Sequence, residues 1–281
     1  MSGNSRRGLF RDLAAAAAKA AIPDERPKPV KPRAPLLSDA ELERYSRQLV
    51  LPEWTEMAQL ALRDASVLVI GAGALGSPVA LYLAAAGVGR LGIADDDGVE
   101  LSNLHRQLLH FTPDIGVPKV ESAAAKLRFL NPEILVEPYQ VRVDATNARG
   151  LVEGQDLVVD CSDSFETRYA VNAACCAAGI DLIEGGVVGW NGLVMTIVPG
   201  GTSCYRCAFP AEPEGARSCA EAGVVGPAAG VIGAIQALEA LKFLTGAQAP
   251  LVDAFVTVDL ATYETVTVNV RRRPDCPDCG G

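Results

Sequence analysis

Four of the eight cysteines fall into two pairs, Cys204-Tyr-Arg-Cys207 and Cys276-Pro-Asp-Cys279. Each pair can present two thiolates to one tetrahedral Zn²⁺, and two pairs complete a closed four-sulfur site. A closed site keeps no position for water, so such a metal would tie the chain's end to its middle; two separate redox dithiols are the rival reading. A second set of residues suits phosphate. Val67–Ile70 runs straight into Gly71-Ala-Gly73-Ala74-Leu-Gly76 and then into a helix-forming stretch to Ala86, closed by Gly87. Glycines here allow a tight turn and let a phosphate approach the amides at the positive end of the helix. Asp95 lies 19 positions after Gly76, at the end of Leu91-Gly-Ile-Ala, where such folds place a carboxylate on ribose hydroxyls. Up to this point a nicotinamide, flavin or ATP enzyme fits equally. His105 and His110 have no partner at metal or triad spacing, so no chemistry is assigned to them.

These residues need a frame, and the pattern around them supplies one. Strand, glycine turn and helix are followed by an alternating β/α chain. Ser38-Asp-Ala-Glu41 is a capping box, predicting a helix to about Leu49 and the start of order at residue 38. Leu157–Asp160 is an apolar strand, and an apolar helix ends at Gly179 with Cys175 and Cys176 as small core residues, as is Cys161. A helix over Pro227–Leu244 has Ile232, Ile235 and Leu238 at helical spacing, which places it in the core or in a dimer interface. Gly192–Val198, Phe255–Val258 and the alternating Tyr263–Val270 read as strands, the last half-exposed and antiparallel.

Bulk properties narrow the partners. The 281 residues allow one large domain or two small ones, and 25 basic against 34 acidic side chains give a net charge of −9, the wrong sign for a nucleic-acid binder. Residues 1–33 carry eight basic and three acidic side chains, a charge of +5 that leaves −14 on the remainder. With its Ala run and Pro23, Pro27, Pro29, Pro32 and Pro35, the segment 1–37 is expected to be a flexible tail. Arg6-Arg7 faintly resembles a twin-arginine export signal, but Arg11, Asp12 and Lys19 interrupt the apolar stretch it needs. Apolar runs are broken by Gly, Asp or Arg well short of a membrane span, and eight cysteines are too sparse for a secreted disulfide scaffold. A soluble, cytoplasmic protein with no membrane partner is expected.

Further motifs follow the glycine loop: Asp97-Gly-Val-Glu-Leu-Ser-Asn103-Leu-His-Arg106-Gln107, Gly116-Val-Pro-Lys119 and Asp160-Cys-Ser-Asp163-Ser-Phe-Glu-Thr-Arg168, with Arg44-Tyr-Ser-Arg47-Gln48 before it. In this order and spacing, from about Glu43 to Cys279, the chain resembles the ThiF and molybdopterin-synthase adenylyltransferase family, bacterial relatives of ubiquitin-activating enzymes. The resemblance implies a Rossmann-like α/β fold, mostly parallel, with helices on both faces, C-terminal antiparallel strands and a four-cysteine zinc knuckle. It divides residues 38–281 into a nucleotide-binding half, about 38–185, and a carrier-binding and zinc half, about 186–281. It also implies an activity: ATP, with Mg²⁺, activates the C-terminal Gly-Gly carboxylate of a ubiquitin-like sulfur carrier as an acyl-adenylate, for molybdopterin- or thiamine-type sulfur transfer.

On that resemblance, Arg106 and Lys119 are phosphate-binding positions, Asn103 and Gln107 polar contacts beside them, Asp97 part of the same nucleotide site and Asp163 the Mg²⁺ carboxylate or, alternatively, a helix N-cap. Arg47 would reach the phosphates from the second subunit of a homodimer. Cys219, in the loop Ala208–Val225, matches a cysteine that in some members links covalently to the carrier. Ala74 stands where the family has glycine and Ser164 where it has asparagine, and glycines usual between Leu51 and Leu62 are absent. No rhodanese segment follows the second knuckle, so the sulfur donor is expected to be a separate protein. The rivals are a dinucleotide oxidoreductase and a non-catalytic ATP-binding relative. Self-activation through the chain's own Gly280-Gly281 is a third reading.

Overall fold

The computed structural model describes residues 36–212 and 223–280. Most of the N-terminal tail, Cys219 and Gly281 lie outside the described residues. Leu37 is already buried, and Arg63 donates to the Leu36 carbonyl at 3.1 Å, so the body begins slightly before the capping box.

That box forms as expected, with Ser38 and Glu41 each satisfying the other's amide. The helix it starts does not reach Leu49 in one piece. It runs as α1 (Asp39–Arg44) and α2 (Ser46–Leu49), broken at Tyr45. Tyr45 is buried and its hydroxyl accepts a hydrogen bond from Asn131 at 3.0 Å; fixing that side chain in the body turns the backbone out of helical geometry. α3 (Glu56–Asp64) leads into β1 (Ser66–Ile70).

β1 is buried along its whole length, and this follows from its place at the middle of a two-faced sheet. Successive side chains point to opposite faces. Val67 and Val69 join one core, while Leu68 and Ile70 join the other. The same division recurs in β4 (Leu157–Asp160) and β5 (Asp181–Val188), where Val159 and Ile183 face the first core and Val158 and Leu182 the second.

Eight strands lie in the order β3-β2-β1-β4-β5-β6-β7-β8, with β2 at Arg90–Ala94, β3 at Leu135–Tyr139, β6 at Asn191–Ile197, β7 at Ala254–Asp259 and β8 at Glu264–Asn269. The first five are parallel and the last three antiparallel. β8 is exposed throughout, more than its alternation suggested. α4 (Gly76–Ala86), α5 (Lys119–Leu130) and α9 (Gly226–Thr245) cover one face. α6 (Ala148–Val152), α7 (Phe165–Ala178) and the short α8 (Tyr205–Ala208) cover the other.

By length and composition α9 would suffice to cross a membrane. Here it is a core helix: it packs on α4, β5 and β6, Gln236 donates to the Asp160 carbonyl at 2.7 Å, and Glu239 accepts from Leu251 N at 2.6 Å.

Candidate active site

Strand order reverses between β1 and β4, and open α/β sheets bind ligands beyond the carboxyl ends of the strands at such a point. A cleft opens there, lined by Gly71, Gly73, Ala74, Asp95, Asp97, Arg106, Gln107, Lys119 and Asp163, among others.

Its floor is the glycine turn. Gly71 has φ +91°, and a Cβ on it would lie 2.9 Å from the Cys161 carbonyl oxygen; a Cβ on Gly76 would lie 1.8 Å from the Gly71 oxygen. No side chain fits at either position, so the loop stays tight and the start of α4 faces the cleft. Leu75 at its N-cap supplies no side-chain bond; Ser77 N donates to the Gly73 carbonyl at 3.0 Å and Pro78 has no N–H, so Gly76 N is the first-turn amide left for an anion. His110 braces the loop from behind. Its Nε2–H donates to the Ala72 carbonyl at 2.8 Å, and Nδ1 accepts from the Ser122 hydroxyl at 2.9 Å, the neutral-ring arrangement. Burial lowers its pKa accordingly. This is a satisfied core histidine.

Asp95 stands at the end of β2 and lines the cleft. Its carboxylate accepts from Ala72 N at 2.8 Å and Asp97 N at 2.9 Å, so it also locks the glycine turn. Burial raises its pKa, against the pull of Lys119 and the two amides. Lys119, the buried first residue of α5, reaches Asp97 at 2.7 Å. Arg106 is held by the Ser102 carbonyl at 3.0 Å. Gln107 is buried, and its Oε1 has no hydrogen-bond partner. An orphaned acceptor on the wall of a cleft suits a donor on a ligand.

Three positions sit differently. Asn103 does not line the cleft; its Oδ1 accepts from Glu100 N at 3.1 Å, capping the short 3-10 turn whose carbonyl holds Arg106 N and Gln107 N at 3.0 Å each. Arg47 is exposed on α2, outside the cleft of its own chain. The N-cap alternative for Asp163 is corrected, because Ser164 takes that role, accepting from Thr167 N at 3.1 Å. Asp163 is left exposed beyond β4 as a free carboxylate at the cleft.

A second cavity of about 350 Å³ continues from the first, sharing Asp163, Arg168 and Val187 with it. Phe165, Leu193, Tyr205 and Phe209 make its walls largely apolar. Sequence reasoning did not single out Arg168: it stood in a quoted motif, but its burial and its place at the junction are products of tertiary packing.

The two knuckles meet, as their spacing predicts. Cys204 Sγ lies 3.9 Å from Cys207 Sγ and 3.6 Å from Cys276 Sγ, and Cys207 Sγ lies 3.4 Å from Cys279 Sγ. A tetrahedron of Zn–S bonds has edges of about 3.8 Å, so the four thiols are compatible with zinc, and the distances are far from a disulfide's. Asn172 on α7 holds both pairs, accepting from Tyr205 N at 2.9 Å and donating to Asp278 at 2.7 Å. Arg206 adds an ion pair to Asp278 at 2.8 Å.

A doubly wound sheet with a glycine-turn cleft, a continuing apolar channel and a four-cysteine knuckle defines a nucleotide-dependent α/β protein class. Residues 45–278 match the ThiF family, and the chain belongs to it. It is 46% identical over 246 residues to the SAMP-activating enzyme E1 of Haloferax volcanii, covering 87% of this chain and 91% of that one. It is 43% identical over 246 residues to the sulfur carrier protein ThiS adenylyltransferase of Escherichia coli, covering 87% and 98%. The adenylyltransferase and sulfurtransferase MOCS3 of Sus scrofa is 46% identical over 272 residues, but this chain spans only 60% of its length. Among solved structures, E. coli MccB with MccA-N7isoASN superposes with a TM-score of 0.77 at 26% identity, covering 84% of this chain and 75% of that one.

Proposed function

We propose that the chain is an ATP-dependent adenylyltransferase that activates the C-terminal Gly-Gly carboxylate of a ubiquitin-like sulfur carrier, for sulfur transfer in molybdopterin- or thiamine-type cofactor synthesis. The observation that carries this reading is the junction: the glycine-turn cleft adjoins a largely apolar cavity, and Asp163 and Arg168 line both. A nucleotide enters from one side and a protein tail from the other. The names of the relatives support the same substrate class.

In this reading the ribose lies at Asp95 and the phosphates lie over the glycine turn. Arg106 and Lys119 bind the phosphate oxygens, where charge gathers as the carrier's carboxylate oxygen bonds to the α-phosphorus and the bond to pyrophosphate breaks. Lys119 leaves Asp97 for a phosphate, or bridges both. Asp163 suits a Mg²⁺ ion held by one protein carboxylate and the substrate's own phosphates; when bound, the ion neutralises phosphate charge. Ser164 caps α7 and so orients Asp163 without the usual asparagine, and Ala74 adds only a methyl group at the cleft wall. Both departures are compatible with turnover, against the non-catalytic alternative. No nicotinamide or flavin role accounts for the Arg106, Lys119 and Asp163 set.

The assembly we infer is a homodimer in which Arg47 completes the partner's site. Its exposed position and the apolar side chains left exposed nearby in sequence, Val50 and Leu51, and on α4 and α9, Tyr82 and Leu238, support this. Zinc in the four-cysteine cluster, a separate sulfur donor, a sulfur-transfer role for Cys219 and a cytoplasmic setting that keeps the thiols reduced belong to the same proposal. The deciding measurement is ATP–pyrophosphate exchange with candidate carriers, intact or clipped of their Gly-Gly tail. Exchange that requires the tail and Asp163 is expected; tail-independent exchange would count against the proposal.

A further inference from the structure

We propose that Arg168 receives the carrier's terminal carboxylate, and that Asp160 and Glu184 are the positioning residues that hold it at the junction of cleft and channel. The proposal rests on the adenylyltransferase reading above and names the residue that orients its acyl substrate.

A carboxylate moving down the apolar channel needs strong hydrogen-bond donors at the end, and Arg168 is the one cation among the described residues lining that cavity. Arg106 and Lys119 line the nucleotide cleft alone, whereas Arg168 lines both. Asp163, the other charged group in the channel, would repel the tail.

Arg168 is fixed from several sides. Its Nη2 donates to the Ser162 carbonyl at 2.9 Å, and Nε lies 3.5 Å from Glu184 Oε1. The guanidinium lies against the Gly186 backbone so closely that a Cβ there would come within 2.7 Å of Nη1, and it sits 5.7 Å from the centre of the Phe165 ring. Glycine at 186 is therefore part of the device.

Behind it stand two carboxyls. Asp160 and Glu184 face each other across the β4/β5 register, and both are fully buried. Asp160 Oδ1 accepts from Ser162 N at 2.8 Å, but Asp160 Oδ2 and both Glu184 oxygens lack a conventional partner. One proton shared between the two acids satisfies Asp160 Oδ2 and one Glu184 oxygen, and avoids two adjacent buried charges. Burial above all, with Asp160 adding to it, pushes the Glu184 carboxyl well above the usual carboxylate range, against the opposing pull of Arg168. The pair then carries a single negative charge, matched by Arg168. With the cluster neutral, an arriving carboxylate meets the guanidinium's donors and no net repulsion. One oxygen binds Arg168, and the other is free to attack phosphorus.

The test is ATP–pyrophosphate exchange by the full chain with purified E. coli ThiS as carrier, varying carrier and ATP separately. Arg168→Lys is expected to raise the KM for the carrier about tenfold or more, the scale of a lost charge-assisted pair of hydrogen bonds, with the KM for ATP within about twofold. Gly186→Ala keeps all three charged residues and displaces the guanidinium, so it should shift the carrier KM in the same direction. Unchanged carrier KM and kcat in both variants would overturn the role of Arg168 and leave the activity standing. Equal rises in both KM values would overturn it too, as general damage to the site. Absence of tail-dependent exchange by the unsubstituted chain would instead overturn the activity, and this inference with it.

Discussion

Asp163 and Arg106 line the same cleft, and in the proposed reaction they serve different parts of it. Asp163 makes no hydrogen bond that the fold depends on, since Ser164 caps α7 in its place. Asp163→Ala should therefore leave the melting temperature close to that of the parent while lowering turnover by about a hundredfold or more, as loss of a group that serves transition-state charge does. Arg106→Ala should lower kcat and kcat/KM together, because its interaction grows only as phosphate charge moves. Near-normal exchange rates in either variant would remove that residue from the site.

His110 offers a pH test at the same scale. Its folded-state pKa is lowered by burial, with Lys119 and Lys126 nearby adding to the effect and Asp114 and the Ala72 carbonyl opposing it. The unfolded chain binds the proton more readily, so stability is kept above the unfolded value near 6.5 and is lost as pH falls towards the folded value. Thermal melts between pH 7.5 and 5 should show a smaller acid-induced drop in His110→Gln than in the parent, even though the variant is less stable at pH 7.5. Parallel drops would refute the assignment.

At the level of elements, the four-cysteine knuckle does more than join Cys276 and Cys279 to the middle of the chain. α8 carries Tyr205 between Cys204 and Cys207, and Tyr205 with Phe209 walls the channel. Rings run in contact from Phe165 through Tyr169, Tyr205 and Phe209 to Phe255, at centroid distances of 5.0–6.3 Å. The glycine turn lies across the sheet junction, braced by His110 and Asp95 instead. Removing metal with a chelator should lower the melting temperature by about 10 °C or more, since metal bound only by the folded state adds its binding energy to stability. ATP binding below that transition should persist. Identical melting curves with and without chelator would show that the four thiols act without metal.

The whole molecule raises the question of how many chains make one site. If Arg47 works across a dimer, inactive Arg47→Ala and Asp163→Ala chains should regain activity when mixed. A mixed dimer has one site with both lesions and one with neither. Random reassociation of equal amounts would then restore about a quarter of the parental sites. Sedimentation should report a dimer of the 29.4 kDa chain. A monomer, or no recovery on mixing, would place Arg47 outside the machinery.

The glycine turn, Asp95 and the two Cys-x-x-Cys pairs were legible in the sequence because their chemistry is local. Turns, helix starts and knuckles are built from residues within a few positions of one another, and strand β1 announced itself by an apolar run that only a two-faced sheet requires. The motif series from Arg47 to Asp163 pointed to the nucleotide and the family for the same reason. Other features depended on residues far apart in the chain. Tyr45 breaks a well-capped helix because Asn131 holds its hydroxyl. Arg168, Glu184 and Gly186 look ordinary in sequence and become a single device only when β4, β5 and α7 come together. Burial, shared protons and the meeting of two cavities arise from packing, and packing brings together side chains whose sequence separation carries no signal of their contact.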